Sequence, residues 1–203
     1  MEFGALGLEF SLVMEQTLVF IKPDGLKRGL AGEIIHRIER MGLKIVAMKM
    51  TWPTEELLHQ HYGTNKESTI MRLGSKTLST YQKYGKDAKS ELGTDDPKKL
   101  GKMVVKWLLD YVQSGPILAM LVEGRHAVEN MINLAGPTMP SAAMPGTIRG
   151  DYSTDSAAYA NAEKRGVSNL IHISGSVEEA NFEKTVWFTP EEIFKYKRVE
   201  EMA

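Results

Sequence analysis

Residues Ile117 to Val122 form an unbroken apolar run, ILAMLV, set between Ser114-Gly115-Pro116 and Glu123-Gly124. A strand with no polar face belongs at the centre of its sheet, covered on both sides. Three more segments carry strand signals. Thr17 to Lys22 is β-rich and closes on the turn Pro23-Asp24-Gly25. Leu43 to Thr51 alternates, Ile45 and Ala47 against Lys44 and Lys49. Ser168 to Ile173 is the last.

Helical spacing fills the intervals. Ile34, Ile35, Ile38 and Met41 recur among charged residues, and Gly42 stops the pattern. Thr54 can cap a helix running to about Tyr62. Arg125 to Leu134 and Ser176 to Trp187 are helical, with Glu178 and Glu179 suited to the positive end of the latter. The core order is β-α-β-β-α-β, which implies an α+β, ferredoxin-like fold with a four-stranded antiparallel sheet and extra helices.

The stretch 63–102 breaks this rhythm. It carries nine Lys or Arg against five acids, with its apolar residues scattered. It reads as an insertion or long loop with one helix around Ser75 to Ser90, and helical periodicity resumes by Met103. Residues 1–16 read as an N-terminal extension ahead of a single domain over 17–203. The acidic end after Tyr196 reads as a solvated tail.

Composition narrows function more than fold. A formal net charge of −1 over 203 residues gives no global attraction to nucleic acid or membrane, so any anion site must be local. Cysteine is absent, which removes disulfides and thiolate chemistry and fits a reducing compartment. No apolar stretch approaches the ~20 residues of a membrane span. Glu2 and Glu9 stand where a secretory leader would carry Lys or Arg. The expected location is cytoplasmic.

Chemistry concentrates in three places. His172 ends an apolar run, where a strand delivers it to a cleft rim, and Glu183 follows in a helix-patterned segment. Pro145 to Asp151 reads PGTIRGD, and Ile21 to Gly25 reads IKPDG. Together they suggest a histidine that carries a phosphoryl group. An imidazole with a pKa near 6.5 is a nucleophile at neutral pH if one nitrogen is held and the other left open. No GxxxxGK[ST] is present, which argues against a P-loop mechanism.

These residues resemble the nucleoside diphosphate kinases. The matching segments, TLVFIKPDGLKRGLAGEIIHRIERMGLKIVAMKM, SGPILAMLVEG, GPTMPSAAMPGTIRGD and NLIHISGSVEEANFEKTVWF, run in family order from Thr17 to Phe188. The resemblance implies γ-phosphoryl transfer from a nucleoside triphosphate such as ATP to a nucleoside diphosphate, by a ping-pong route through phospho-His172. It implies Glu183 as the carboxylate orienting that imidazole and Ser174 as a hydrogen-bond donor to Glu183. Tyr62 would hydrogen-bond near the imidazole, and Lys22 would contact the terminal phosphate and sugar. Arg149 and Thr138 would bind phosphates, Asn169 the sugar, and Leu108 the nucleotide. Mg²⁺ would be held by the nucleotide and water rather than by a protein cage. Homo-oligomers, hexamers or tetramers, are the family's assemblies.

Three departures accompany the match. A family arginine that contacts phosphate is replaced by Ile132, with Arg125 or a lysine of the insertion as candidate substitutes. The family's His-Gly-Ser-Asp-Ser is His172-Ile173-Ser174-Gly175-Ser176 here, leaving Ser174 or Ser176 to cap the next helix. The insertion falls in the helical pair that clasps the base, and the aromatic stacking position lies near Val104. The insertion is either a basic lid or an oligomer contact. Ile132 and the altered turn motivate an alternative: a catalytically weakened nucleotide-binding or scaffolding member. A nucleic-acid binder is disfavoured, because the chain is not basic and no aromatic stacking residues mark the sheet face.

Overall fold

A computed structural model describes residues 14–199. Most of the expected extension and the acidic Glu200 and Glu201 lie outside them. The first half runs β1 (Glu15–Ile21), α1 (Pro23–Lys27), α2 (Ala31–Arg40), β2 (Lys44–Thr51), α3 (Glu55–Tyr62), α4 (Glu67–Lys83), α5 (Ala88–Leu92) and α6 (Pro97–Val112). The second runs β3 (Ile117–Gly124), α7 (Ala127–Ala135), α8 (Ile148–Tyr152), α9 (Ala157–Ala162), β4 (Ile171–Ile173) and α10 (Val177–Trp187). β1 starts two residues before the domain start expected at Thr17.

The four strands form one sheet in the order β2-β3-β1-β4, every neighbour antiparallel. This is the ferredoxin-like arrangement, and β3 is interior to it, as its apolar run requires. Alternate residues of β1 point to opposite faces. Val19 and Ile21 pack with Ile34, Ile38 and Met131, from α2 and α7. Leu18 and Phe20 pack on the other face with Leu58, Leu109 and Trp187, from α3, α6 and α10.

The segment 63–102 is more ordered than its composition suggests. α4 and α6 lie against each other as a hairpin, with α5 at its tip. A methyl group on Gly74 would come within 1.7 Å of the Pro97 carbonyl oxygen, and one on Gly101 within 2.0 Å of that of Ile70. Each glycine therefore lets two backbones touch. The helix expected at Ser75–Ser90 starts at Glu67, eight residues early, because Gly74 in its middle reads as a breaker while Ile70, Leu73, Thr77 and Tyr81 keep its helical stripe. Asp96 caps α6 by accepting from Lys98 and Lys99 backbone N–H groups, so α6 begins six residues before Met103.

Candidate active site

β4 is only three residues long, and a strained turn delivers it. Leu170 has φ = 69°, a left-handed conformation that costs a β-carbon residue about 1–3 kcal/mol. Two bonds hold it there: Leu170 N–H donates to Asp24 Oδ2 at 3.1 Å, and Lys22 N–H donates to the Leu170 carbonyl at 2.8 Å. The PDG segment thus serves as more than a turn. It anchors the chain that presents Asn169 and His172.

His172 lies opposite Phe20 in the sheet register, and the two rings stack at 4.7 Å. Both Glu183 carboxylate oxygens lie 3.0 Å from His172 Nε2. Ser174 Oγ–H donates to Glu183 Oε2 at 2.6 Å, and Leu18 N–H donates to Ser174 Oγ at 3.2 Å. Ser176, not Ser174, caps α10, accepting from Glu179 N–H. A carboxylate accepts only, so Nε2 carries the ring proton and Nδ1 the lone pair. Among the described residues Nδ1 makes no hydrogen bond.

Cations flank the imidazole. Lys22 Nζ–H donates to Asn169 Oδ1 at 2.6 Å and lies 5.5 Å from the centre of the Tyr111 ring. Tyr111 O–H in turn donates to Asp24 Oδ1 at 2.6 Å. Asn169 Nδ2–H donates to the Thr138 carbonyl at 3.0 Å. Arg149 donates from Nε to Asn169 O, from Nη1 to Gly136 O and from Nη2 to Ile171 O. Three of its five N–H groups are therefore spent on the loops it clamps, leaving two for an anion.

Burial shifts the protonation equilibria. His172 is held well below the ordinary histidine pKa by burial first, then by Lys22 and Arg149, so it is neutral at pH 7. Burial raises Glu183, against the opposing pull of His61 and Ser174. Lys22 falls to about 7 through burial and the Arg149 charge, with Asp24 opposing. Arg149 falls to about 10 through burial. The ensemble is a neutral nucleophile beside a cationic Arg149 and a Lys22 that an arriving anion would drive to its charged form.

Other expected residues stand further out. Tyr62 meets the His172 ring edge-on at 6.0 Å, and its hydroxyl has no hydrogen-bond partner among the described residues. Leu108 is half-buried one turn before Tyr111 on α6, so it borders the same face. Val104 packs instead with Tyr81, Leu100 and Trp107 in the hairpin. Ile132 is 37% exposed on α7. Arg125 cannot replace the missing guanidinium. It follows Gly124, which pairs with Glu15, about 17 Å along β1 from Phe20.

Two residues of the site, His61 and Tyr111, escape a reading by motif, while Asp24 belongs to the IKPDG motif and reads there only as part of a turn. The His61 ring stands 4.4 Å from that of His172 and nearly perpendicular to it. Its only sequence signal is the neighbouring Tyr62, and Tyr111 has none beyond the helical periodicity that resumes by Met103. A surface cavity of about 840 Å³ lies elsewhere, bordered by Arg28, Asp155 and Arg165. Its arginines are engaged, Arg165 by Asp155 and Glu163 and Arg28 by the Tyr152 carbonyl.

Comparison with known proteins identifies the family. The family described as nucleoside diphosphate kinase matches residues 15–78 and 97–193. A nucleoside diphosphate kinase of Pyrobaculum aerophilum is 46% identical over 90% of this chain and 99% of its own. The crystal structure of an NDP kinase from that organism superposes with a TM-score of 0.85 at 44% identity, covering 90% of this chain and all of that one. A Borrelia burgdorferi nucleoside-diphosphate kinase, solved as a transition-state mimic with vanadate and ADP, matches with a TM-score of 0.76 at 33% identity, over 94% of this chain and 96% of its own. A match that runs from β1 past α10, and a relative alike over nearly its whole length, place the chain in the nucleoside diphosphate kinase family, enzymes that pass phosphoryl groups between nucleotides.

Proposed function

We propose that His172 Nδ1 takes the γ-phosphoryl group of a nucleoside triphosphate and hands it to a nucleoside diphosphate in a second half-reaction. The supporting observation is the two-oxygen grip of Glu183 on Nε2, which leaves the opposite nitrogen open. As Nδ1 attacks, positive charge grows on the ring, and Glu183 sits where it stabilises that charge. Ser174 holds Glu183 in place. Lys22 and the two remaining N–H groups of Arg149 face the charge on the transferring group. Asn169 and Thr138 border the sugar and phosphate side, and Leu108 the base side. Tyr62 is a ring packed edge-on against the imidazole.

Nucleotides enter this scheme as ATP and other nucleoside tri- and diphosphates. Few base-reading groups can be named, so breadth toward bases is expected. Mg²⁺ would be carried by the nucleotide and would supply charge neutralisation at the phosphates. Protein carboxylates nearby are occupied: Asp24 by Tyr111 and Leu170, and Asp151 by Arg37 and the Gly146 N–H. That donor set fits an ion carried by substrate and water, not one caged by protein. Residues 17–203 act as one kinase domain with an insertion within about 63–102, and the gap in the family match at 79–96 supports placing it at the tip of the hairpin. A homo-oligomer of four or six copies and a cytoplasmic location follow from the family resemblance.

Ile132 supports the alternative of a weakened, nucleotide-binding member, since it removes a guanidinium that Arg125 is placed too far away to replace. One experiment separates the two. The protein is incubated with γ-labelled ATP and Mg²⁺, freed of nucleotide, and chased with GDP. Acid-labile, base-stable label that moves to GDP, and is absent in His172→Ala, is expected. ATP binding without label would support the weakened reading.

A further inference from the structure

His61 is left without a task in phosphoryl transfer, yet it is packed into the centre of the site with its side chain 0% exposed. Trp187 Nε1–H donates to His61 Nδ1 at 3.2 Å. That bond puts the lone pair on Nδ1 and the proton on Nε2, where it finds no partner among the described residues. The Nδ1 lone pair then lies 3.5 Å from Glu183 Oε1, two acceptors facing each other with no proton between them. His172 Nε2 is 3.0 Å from the same oxygen. The three ligand atoms all lie within 4.8 Å of one another.

We propose that His61 Nδ1, His172 Nε2 and Glu183 form a site for a borderline divalent metal ion, Zn²⁺ foremost, and that its occupation silences His172. A tetrahedral Zn²⁺ with bonds of about 2.0–2.1 Å separates its ligand atoms by about 3.4 Å. Two edges of the triangle, 3.0 and 3.5 Å, already bracket that spacing, and only the edge between the imidazoles must close. Two imidazoles and one carboxylate suit Zn²⁺ or Co²⁺ and disfavour Mg²⁺, which seeks oxygen ligands. The metal neutralises the opposed acceptors, while Trp187 gives up its bond to His61. Water completes the fourth position.

Silencing follows from proton bookkeeping on one ring. A neutral imidazole carries a single N–H, held on Nε2 by Glu183. A metal on Nε2 needs that lone pair, so the proton moves to Nδ1, the atom that must attack. Nothing is oxidised or reduced and no net proton is released. The nucleophile is capped and its orienting carboxylate diverted. This half of the proposal rests on Nδ1 as the phosphoryl acceptor; the binding half does not.

The two halves are tested separately. Chelator-stripped protein is titrated with Zn²⁺ by calorimetry and with Co²⁺ by visible absorption, without nucleotide. One equivalent is expected, with the bands of tetrahedral Co²⁺. His61→Gln and Glu183→Gln should each weaken binding at least about 100-fold, while His59→Gln, in the exposed Glu55–His59 pair, should not. No binding, binding indifferent to His61→Gln, or binding lost in His59→Gln would overturn the site. If circular dichroism shows His61→Gln unfolded, Glu183→Gln decides. Phosphoenzyme formation from γ-labelled ATP is then compared for stripped and Zn²⁺-loaded protein, with Zn²⁺ in excess over nucleotide. Loss of label, restored by chelator, is expected; full labelling with metal bound refutes silencing. Stripped protein that never labels refutes the phosphohistidine reading and silencing together, and the binding result stands on its own.

Discussion

At the scale of single residues, the site is a set of protons placed by burial. Glu183 decides which nitrogen of His172 is open. Glu183→Gln keeps the shape but can donate to Nε2 instead of accepting, so the ring can settle in the wrong tautomer. A fall in kcat/KM of about 10- to 100-fold is expected in steady-state assays; an unchanged value would mean that the carboxylate does not orient the ring. Lys22 gives a second signature. With a pKa of about 7 it is mostly neutral at pH 8 in the empty site, and a bound phosphate favours its charged form. Nucleotide binding at pH 8 should therefore take up close to one proton, and affinity should weaken as pH rises above 7. Calorimetry in buffers of different ionisation enthalpy reads this directly, and Lys22→Gln should abolish the uptake. His172, Glu183, Ser174, Lys22 and Asn169 were legible because they sit in contiguous motifs. His61 and Tyr111 were not, because their roles arise from α3 and α6 converging on β4, which no local pattern encodes; Asp24 stood in the IKPDG motif, but its bond from α1 to Leu170 is a long-range contact that the motif does not announce.

At the scale of elements, the sheet was legible and the hairpin was not. β3 announces itself because burial on both faces leaves no room for a polar residue. α4 and α6 hide because they bury only part of their surface and because Gly74 and Gly101 read as breakers, although each is where two backbones meet. Gly74→Ala and Gly101→Ala are expected to destabilise the protein by about 1–3 kcal/mol in urea titrations, the usual cost of forcing atoms into a packed contact. A gain in stability, as Gly→Ala normally gives in an exposed helix interior, would mean the helices do not touch there. α7 carries the departure at Ile132. Ile132→Arg should raise kcat/KM by up to about tenfold by returning a charged donor. Unchanged kinetics in that variant would mean that the site lacks no needed charge.

At the scale of the molecule, two buried histidines tie stability to pH. Both His61 and His172 are held well below their ordinary pKa, mainly by burial. Below pH ~6.5 the unfolded chain gains protons that the folded one refuses, so stability should fall by about 1.4 kcal/mol per pH unit for each. Glu183, raised in the fold, has the opposite sign and offsets part of this drop. Chemical denaturation between pH 7 and 5 should therefore show a steep loss that His61→Gln reduces by about half. A flat profile would mean that these rings are not buried neutral.

The ring nitrogen that receives phosphate remains the feature on which site and mechanism both depend. Phosphoenzyme prepared with ¹⁵N-histidine, ATP and Mg²⁺ can be read by long-range ¹H–¹⁵N and ³¹P correlation. Phosphate on Nδ1 of His172, with Nε2 still protonated toward Glu183, is the expected result. Phosphate on Nε2, or on any other histidine, would contradict the arrangement of Glu183, Ser174 and His172 as the device that selects the nucleophile.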